Sequence, residues 1–180
     1  MRKLTVAELR RLTPAQHATS RKLPLTVVLD HVRSLHNVGS VFRTADAFRL
    51  EAVYLCGITA TPPHPEIRKT ALGAEETTAW RYFADTREAV RRLKDDGYTV
   101  CAVEQAEGSI APDGFVPASG AKYAFVLGHE VRGVQQEVVD LCDCCIEIPQ
   151  FGTKHSLNVS VAAGIVIWEF FRKRTGENFE

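Results

Sequence analysis

Short apolar runs alternate with stretches of helical periodicity along this chain, and that alternation restricts the fold more than any other feature. Apolar, strand-like runs recur at residues 25–29, 52–56, 99–103, 123–127 and 145–148, with a weaker candidate at 78–82. Between them Val38, Val41, Phe42, Ala45 and Phe48 repeat at steps of three and four, the period of one helix face. Asp85 or Thr86 suits the cap of a helix carrying Ala89, Val90 and Leu93 that ends near Gly97. A short helix is predicted over 134–141 and a long one over 157 to about 174. Strands that are apolar throughout, alternating with helices, imply a mostly parallel sheet covered on both faces. The expected class is α/β.

The 180 residues fit one domain with a sizeable core. Basic and acidic residues number 22 each, which excludes a chain that holds nucleic acid through global basicity and leaves a local basic face open. No apolar run reaches bilayer length, and Met1-Arg2-Lys3-Leu4-Thr5 lacks a signal-peptide core, so a cytoplasmic protein is expected. Five cysteines, three of them in strand-like runs, suit reduced thiols. Cys142 and Cys145 have C-x-x-C spacing without the second pair that a structural zinc site needs.

Residues 1–24 read as a short helical extension, with Thr5-x-x-Glu8 as a capping box for a helix over 5 to about 13. The main domain is expected over 25–180, with a stiff connector at 61–65 and a Gly/Pro-bearing loop at 108–120. The last helix is apolar nearly all round, so it must be buried nearly all round. One side meets the sheet; the other is expected to meet a second copy of the chain across a symmetric interface.

Nucleotide folds usually announce themselves at the first βα turn. Here that turn is Asp30-His31-Val32-Arg33-Ser34-Leu35-His36-Asn37, with neither G-x-G-x-x-G nor a P-loop. The glycines come late, as Gly128-x-Glu130-x-x-Gly133, where they permit close backbone approach to a ligand or a tight turn. Parallel strands ending near Leu127 and Ile148 bring both late loops to the edge where such sheets bind ligands. Ser156 or Asn158 suits the cap of the last helix. Yet one cap suffices, and Ser156, Asn158 and Ser160 crowd the first turn behind Thr153, Lys154 and His155. A helix start of that kind also suits an anion or a polar ligand. From spacing alone, capping and ligand binding both remain open. Arg43 points away from the apolar stripe of its helix, as either a site residue or a surface arginine paired with Asp46.

Three segments, in order, carry a resemblance: Asn37-Val38-Gly39-Ser40-Val41-Phe42-Arg43, Leu127-Gly128-His129-Glu130-Val131-Arg132-Gly133-Val134, and residues 147–160. Together they are similar to the three motifs of the SpoU/TrmH branch of the SPOUT methyltransferases, over residues 25 to about 172. His129 and Val131 depart from the smaller residues common in the second motif. The resemblance implies transfer of a methyl group from S-adenosylmethionine to a ribose 2′-hydroxyl of transfer or ribosomal RNA. It also implies a deep trefoil knot, against the general rarity of knots. It puts cofactor contacts on Leu127, Gly128, Ile148, Pro149, Leu157 and Asn158, and site residues at Arg43, Asn37, Glu130, Ser156 and Asn158, with no metal. RNA would meet Arg68 and Lys69, with Arg10, Arg11, Arg21, Lys22, Lys154 and the Arg172-Lys173-Arg174 cluster extending the face, in part from a second subunit.

Arg43 would be the base or, since guanidinium rarely loses its proton, the holder of an RNA phosphate that takes the proton. Glu130 is the second candidate base, or a carboxylate that orients Asn37 or Arg43. His36, His129 and His155 read as loop histidines. Two other classes fit less well. One is a catalytically silent RNA-binding module of the same fold; the other is a different α/β enzyme acting on a nucleotide.

Overall fold

In the computed structural model, residues 1–5 and 7–174 are described; Val6 and the stretch 175–180 at the end of the expected main domain lie outside them. A 3₁₀ turn (Ala7–Leu9) and α1 (Pro14–Thr19) lead to β1 (Leu23–Asp30), α2 (Leu35–Ala47) and β2 (Leu50–Cys56). Then come α3 (Pro65–Ala71), α4 (Ala74–Thr77), β3 (Trp80–Phe83), α5 (Thr86–Asp95), β4 (Tyr98–Val103) and β5 (Lys122–Leu127). The chain closes with α6 (Gln136–Val139), β6 (Cys144–Ile146) and α7 (Val159–Arg174). The six strands form one sheet in the order β3-β2-β1-β5-β4-β6, every pairing parallel. The α/β expectation is met.

Alternation along β1 explains the layers. Leu25, Val27 and Leu29 enter a core with Val41 and Phe42 of α2, Ile67 of α3, and Val166, Ile167 and Phe170 of α7. Val28 points to the other face, where Ala89, Val90 and Leu93 of α5 and Val138 of α6 cover it. A strand buried on both sides is the reason its sequence reads as one apolar run. Asp85 caps α5 by accepting the Arg87 N–H at 2.8 Å, and the helix stops before Gly97 at φ +81°. Helices α2 and α3 pack closely because of Gly39: a Cβ there would lie 2.2 Å from the Ile67 carbonyl and the Thr70 hydroxyl.

Several local expectations need correction. The Thr5–Glu8 box forms, with Glu8 accepting the Thr5 N–H at 2.7 Å, but it seeds only the 3₁₀ turn. Pro14 holds Thr13 extended and starts a new helix instead, with Thr13 and Gln16 as a reciprocal capping box. The connector expected over 61–65 gives way at Pro65 to α3, which the sequence reading did not foresee, because His64 caps it by accepting the Glu66 N–H at 3.1 Å and Pro65 suits its first turn. The helix expected over 134–141 shrinks to α6. Loop 108–120 is packed: Ile110 bridges Ile146, and Phe115 is buried against Tyr123 and Phe125. Within the single chain, one side of α7 meets the core while Val161, Ile165 and Trp168 are 50%, 37% and 52% exposed, the side on which the sequence reading expects a second copy.

Candidate active site

All six strands point their carboxyl ends to one edge, so the loops after β4, β5 and β6 converge there. They enclose a cleft of about 300 Å³ lined by Leu127, Gly128, Ile148, Ser156 and Leu157, among others. Val159 and Ala162 of α7 add to its apolar wall, and Glu104, Gln105, Gln150 and His155 supply polar groups. Four of the six expected cofactor residues therefore meet in one place. Pro149 is exposed and outside the lining, and Asn158 lies beside it, at the start of α7.

The loop after β5 closes on itself. His129 and Gly133 exchange two backbone hydrogen bonds, at 3.0 and 2.8 Å, and His129 Nδ1 accepts the Val131 N–H at 3.0 Å. Histidine is therefore accommodated as a loop brace. Gly128 is needed because a Cβ there would sit 2.0 Å from the Gly133 carbonyl carbon and 2.1 Å from the Val134 nitrogen. From β4, Glu104 accepts the Val134 N–H at 2.9 Å, and Gln105 donates to the His155 carbonyl at 2.6 Å, tying the cleft's two walls together. Neither Glu104 nor Gln105 belongs to a motif; the available signal was their place directly after the apolar run 99–103, at the binding edge.

Beside the cleft runs a chain of polar side chains. Glu130 accepts the Ser34 and Arg33 N–H groups at 2.9 and 3.1 Å and the Asn37 amide at 3.2 Å. Asn37 in turn accepts the Asn158 amide at 3.1 Å. Asn158 Oδ1 accepts the Ser160 N–H at 2.9 Å and the Ser160 hydroxyl at 2.7 Å, capping α7. Desolvation would raise the Glu130 pKa, but the two backbone N–H groups and Asn37 outweigh it and hold the carboxyl below its ordinary value. The carboxylate is thereby tied to Asn37 and to the start of α2. Asn158 thus caps α7 and at the same time contacts Asn37 of the first motif. The Ser156 hydroxyl lines the cleft and makes no hydrogen bond among the described residues.

Arg43 stands elsewhere. Helices α2 and α7 lie side by side, from the Asn37–Asn158 contact to Phe48, whose ring is 5.1 Å from Phe171 and 6.0 Å from Trp168. Arg43 lies along α2 beyond Asn37 by about 9 Å at 1.5 Å per residue. It is exposed, outside the cleft lining, and without a hydrogen-bond partner among the described residues. Asp46 does not hold it: that carboxylate accepts the Thr77 hydroxyl at 2.6 Å and faces His17 at 3.5 Å.

The expected RNA contacts do not form one face in a single chain. Arg68 pairs with Glu76 and Lys69 with Glu66, both at 2.6 Å and well exposed, on α3 beside the start of α2. Arg21 and Lys22 precede β1, at the amino edge of the sheet, away from the cleft, and Lys22 donates to the His17 carbonyl at 2.6 Å. Arg10, Arg11 and Lys154 are exposed and unpaired among the described residues. The last cluster is largely internal. Lys173 donates to three carbonyls of residues 112–115 at 2.6 to 2.8 Å, Arg174 is 3% exposed and bonds the Ala118 carbonyl, and Arg172 pairs with Glu169 at 2.6 Å. Cys56, Cys101, Cys142, Cys144 and Cys145 are free thiols. Among the described residues, no three His, Cys, Asp or Glu side chains are placed to share a metal, and no helix is long and apolar enough to cross a membrane.

An all-parallel sheet whose late loops build a cleft at its carboxyl edge is the arrangement in which α/β proteins bind ligands. The sequence model of the SpoU rRNA Methylase family matches residues 24–168, and the chain belongs to that family. It is 33% identical, over 86% of its length and 61% of the other protein, to a 23S rRNA (guanosine-2′-O-)-methyltransferase, RlmB, of Neisseria meningitidis. It is 34% identical, over 97% of its length and 87% of the other, to a tRNA (guanosine(18)-2′-O)-methyltransferase of Thermus thermophilus. The crystal structure of an AdoMet-bound rRNA methyltransferase from Sinorhizobium meliloti superposes with a TM-score of 0.78 at 27% identity, covering 93% of this chain and 62% of that one. The chain spans little more than three fifths of the length of several relatives it matches.

Proposed function

We propose that this protein transfers a methyl group from S-adenosylmethionine to a ribose 2′-hydroxyl of transfer or ribosomal RNA. The observation that carries the reading is the cleft itself, in which the two late loops meet with four of the six residues expected at a cofactor. The cleft suits the cofactor in kind. Leu127, Ile148, Leu157, Val159 and Ala162 offer apolar surface to a purine, and Gly128 keeps a wall of bare backbone. Glu104, Gln105, Gln150 and Ser156 offer polar partners. Its volume lies at the low end of ligand pockets.

When bound, the cofactor supplies an electrophilic methyl carbon on a good leaving group. The protein is then left with positioning the ribose and helping its hydroxyl lose a proton. Glu130, Asn37 and Asn158 fix the starts of α2 and α7 relative to the cleft. Arg43, an unpaired guanidinium, holds an RNA phosphate that accepts the proton, and stabilises the negative charge developing on the ribose oxygen. Because Arg43 lies outside the cleft of its own chain, the reading includes a homodimer across α7. Val161, Ile165 and Trp168 form the exposed apolar stripe that such an interface would cover.

The reading also includes a trefoil knot in the late loops. It is supported by family membership and by the way residues 110–115 are held between β6 and the end of α7. Residues 1–24 are an extension docked on a domain of 25–180, since His17 is buried and faces Asp46 of α2. The protein works in the cytoplasm, which suits its free thiols. Incubation with radiolabelled cofactor and total RNA from cells lacking the protein tests the activity. Label recovered in a 2′-O-methylated nucleoside is expected; label in a base, or none, contradicts it.

A further inference from the structure

Phe151 is 97% exposed, on the loop that forms one wall of the cleft. Val131, 82% exposed, stands on the opposite wall and lines the cleft. A phenyl ring left wholly in water costs solubility and adds nothing to folding. The loop bearing it is tied to the end of β4 by one contact, the Gln105 amide on the His155 carbonyl at 2.6 Å. Each wall also carries an exposed cation with no partner among the described residues: Arg132 beside Val131, and Lys154 shortly after Phe151. An apolar side chain next to a free cation, repeated on both walls, matches the surface of a single-stranded RNA, whose bases stack on aromatic rings while its phosphates take positive charge.

We propose that Phe151 is a positioning residue that stacks on an RNA base next to the methylated nucleotide, with Val131 against the neighbouring base or sugar and Arg132 and Lys154 on the flanking phosphates. The proposal rests on the RNA methyltransferase reading. It adds a subsite beyond the six residues expected at the cofactor, sharing the wall of the cleft at Val131 and Arg132, and it assigns a role to a ring that the reaction chemistry leaves unused.

The test is methyl-transfer kinetics on total RNA from cells lacking the protein, with Phe151→Ala, Phe151→Leu and Phe151→Tyr. Loss of one base stack raises KM about tenfold in the Ala and Leu variants. It leaves kcat within about twofold, since a remote contact made equally in ground and transition state is lost. Phe151→Tyr keeps the wild-type KM. Calorimetric S-adenosylmethionine affinity is unchanged in all three, and sedimentation shows the wild-type oligomer. A wild-type KM in Phe151→Ala, or a Leu variant equal to wild type, overturns stacking while leaving the methyltransferase reading intact. A shift to monomer in Phe151→Ala overturns it in favour of a second copy covering the ring. A wild-type protein without transferase activity would remove both readings.

Discussion

Glu130 ties the loop after β5 to the start of α2. Its carboxylate gathers two backbone N–H groups and the Asn37 amide, and its pKa is held below the ordinary value because hydrogen bonding outweighs desolvation. A carboxyl depressed on folding contributes stability that is full above its unfolded pKa, about 4.3, and is lost as pH falls through the lower native value. Glu130→Gln should remove that acid-side loss and destabilise the protein at neutral pH by about 1–3 kcal/mol, since an amide nitrogen would face an N–H donor. Thermal melts from pH 3 to 7 check both effects; an unchanged melting profile would assign Glu130 no positioning role. On the proposed reading, the guanidinium fork of Arg43 holds a phosphate and a developing oxyanion together. Arg43→Lys should lower kcat about 100-fold or more while RNA affinity changes little. Near-full activity would leave neither role standing.

At the scale of elements, α2 and α7 are paired along their length. Asn37 and Asn158 are 121 residues apart in sequence, and their contact brings the first and third motifs together. The same two helices leave Val161, Ile165 and Trp168 uncovered, with Trp168 against the Phe48 and Phe171 rings. If a second copy covers that stripe, Trp168→Glu should convert dimer to monomer and depress activity with it, as sedimentation and the transfer assay would show. A charged residue there without effect on assembly would put the interface elsewhere.

The sequence is most readable where one physical cause dominates. The double burial of β1, the Asp85 cap and the 93-to-97 helix stop were visible because apolar runs, caps and glycines act locally. Helix α3 was not: three prolines read as a connector, yet Pro65 begins the helix and His64 caps it. Glu104 and Gln105 belong to the cleft only through sheet topology, which no local pattern encodes. The inward turn of Lys173 and Arg174 depends on loop carbonyls nearly 60 residues upstream.

For the whole molecule, equal numbers of basic and acidic residues mean that the proposed RNA substrate would be held by a few local cations. RNA affinity should then fall with salt at a slope of roughly 0.7 to 0.9 per phosphate contact, and neutralising Lys154 or Arg132 should flatten it by about one contact each. A flat response in the wild type would point to a small-molecule substrate. The central claim, that the loops after β5 and β6 form one cofactor cradle, is tested most directly by a crystal structure with S-adenosylmethionine bound. Density for the purine between Leu127–Gly128 and Ile148–Leu157 is the expected result. An empty cleft with the cofactor bound at another place on the chain would contradict the account.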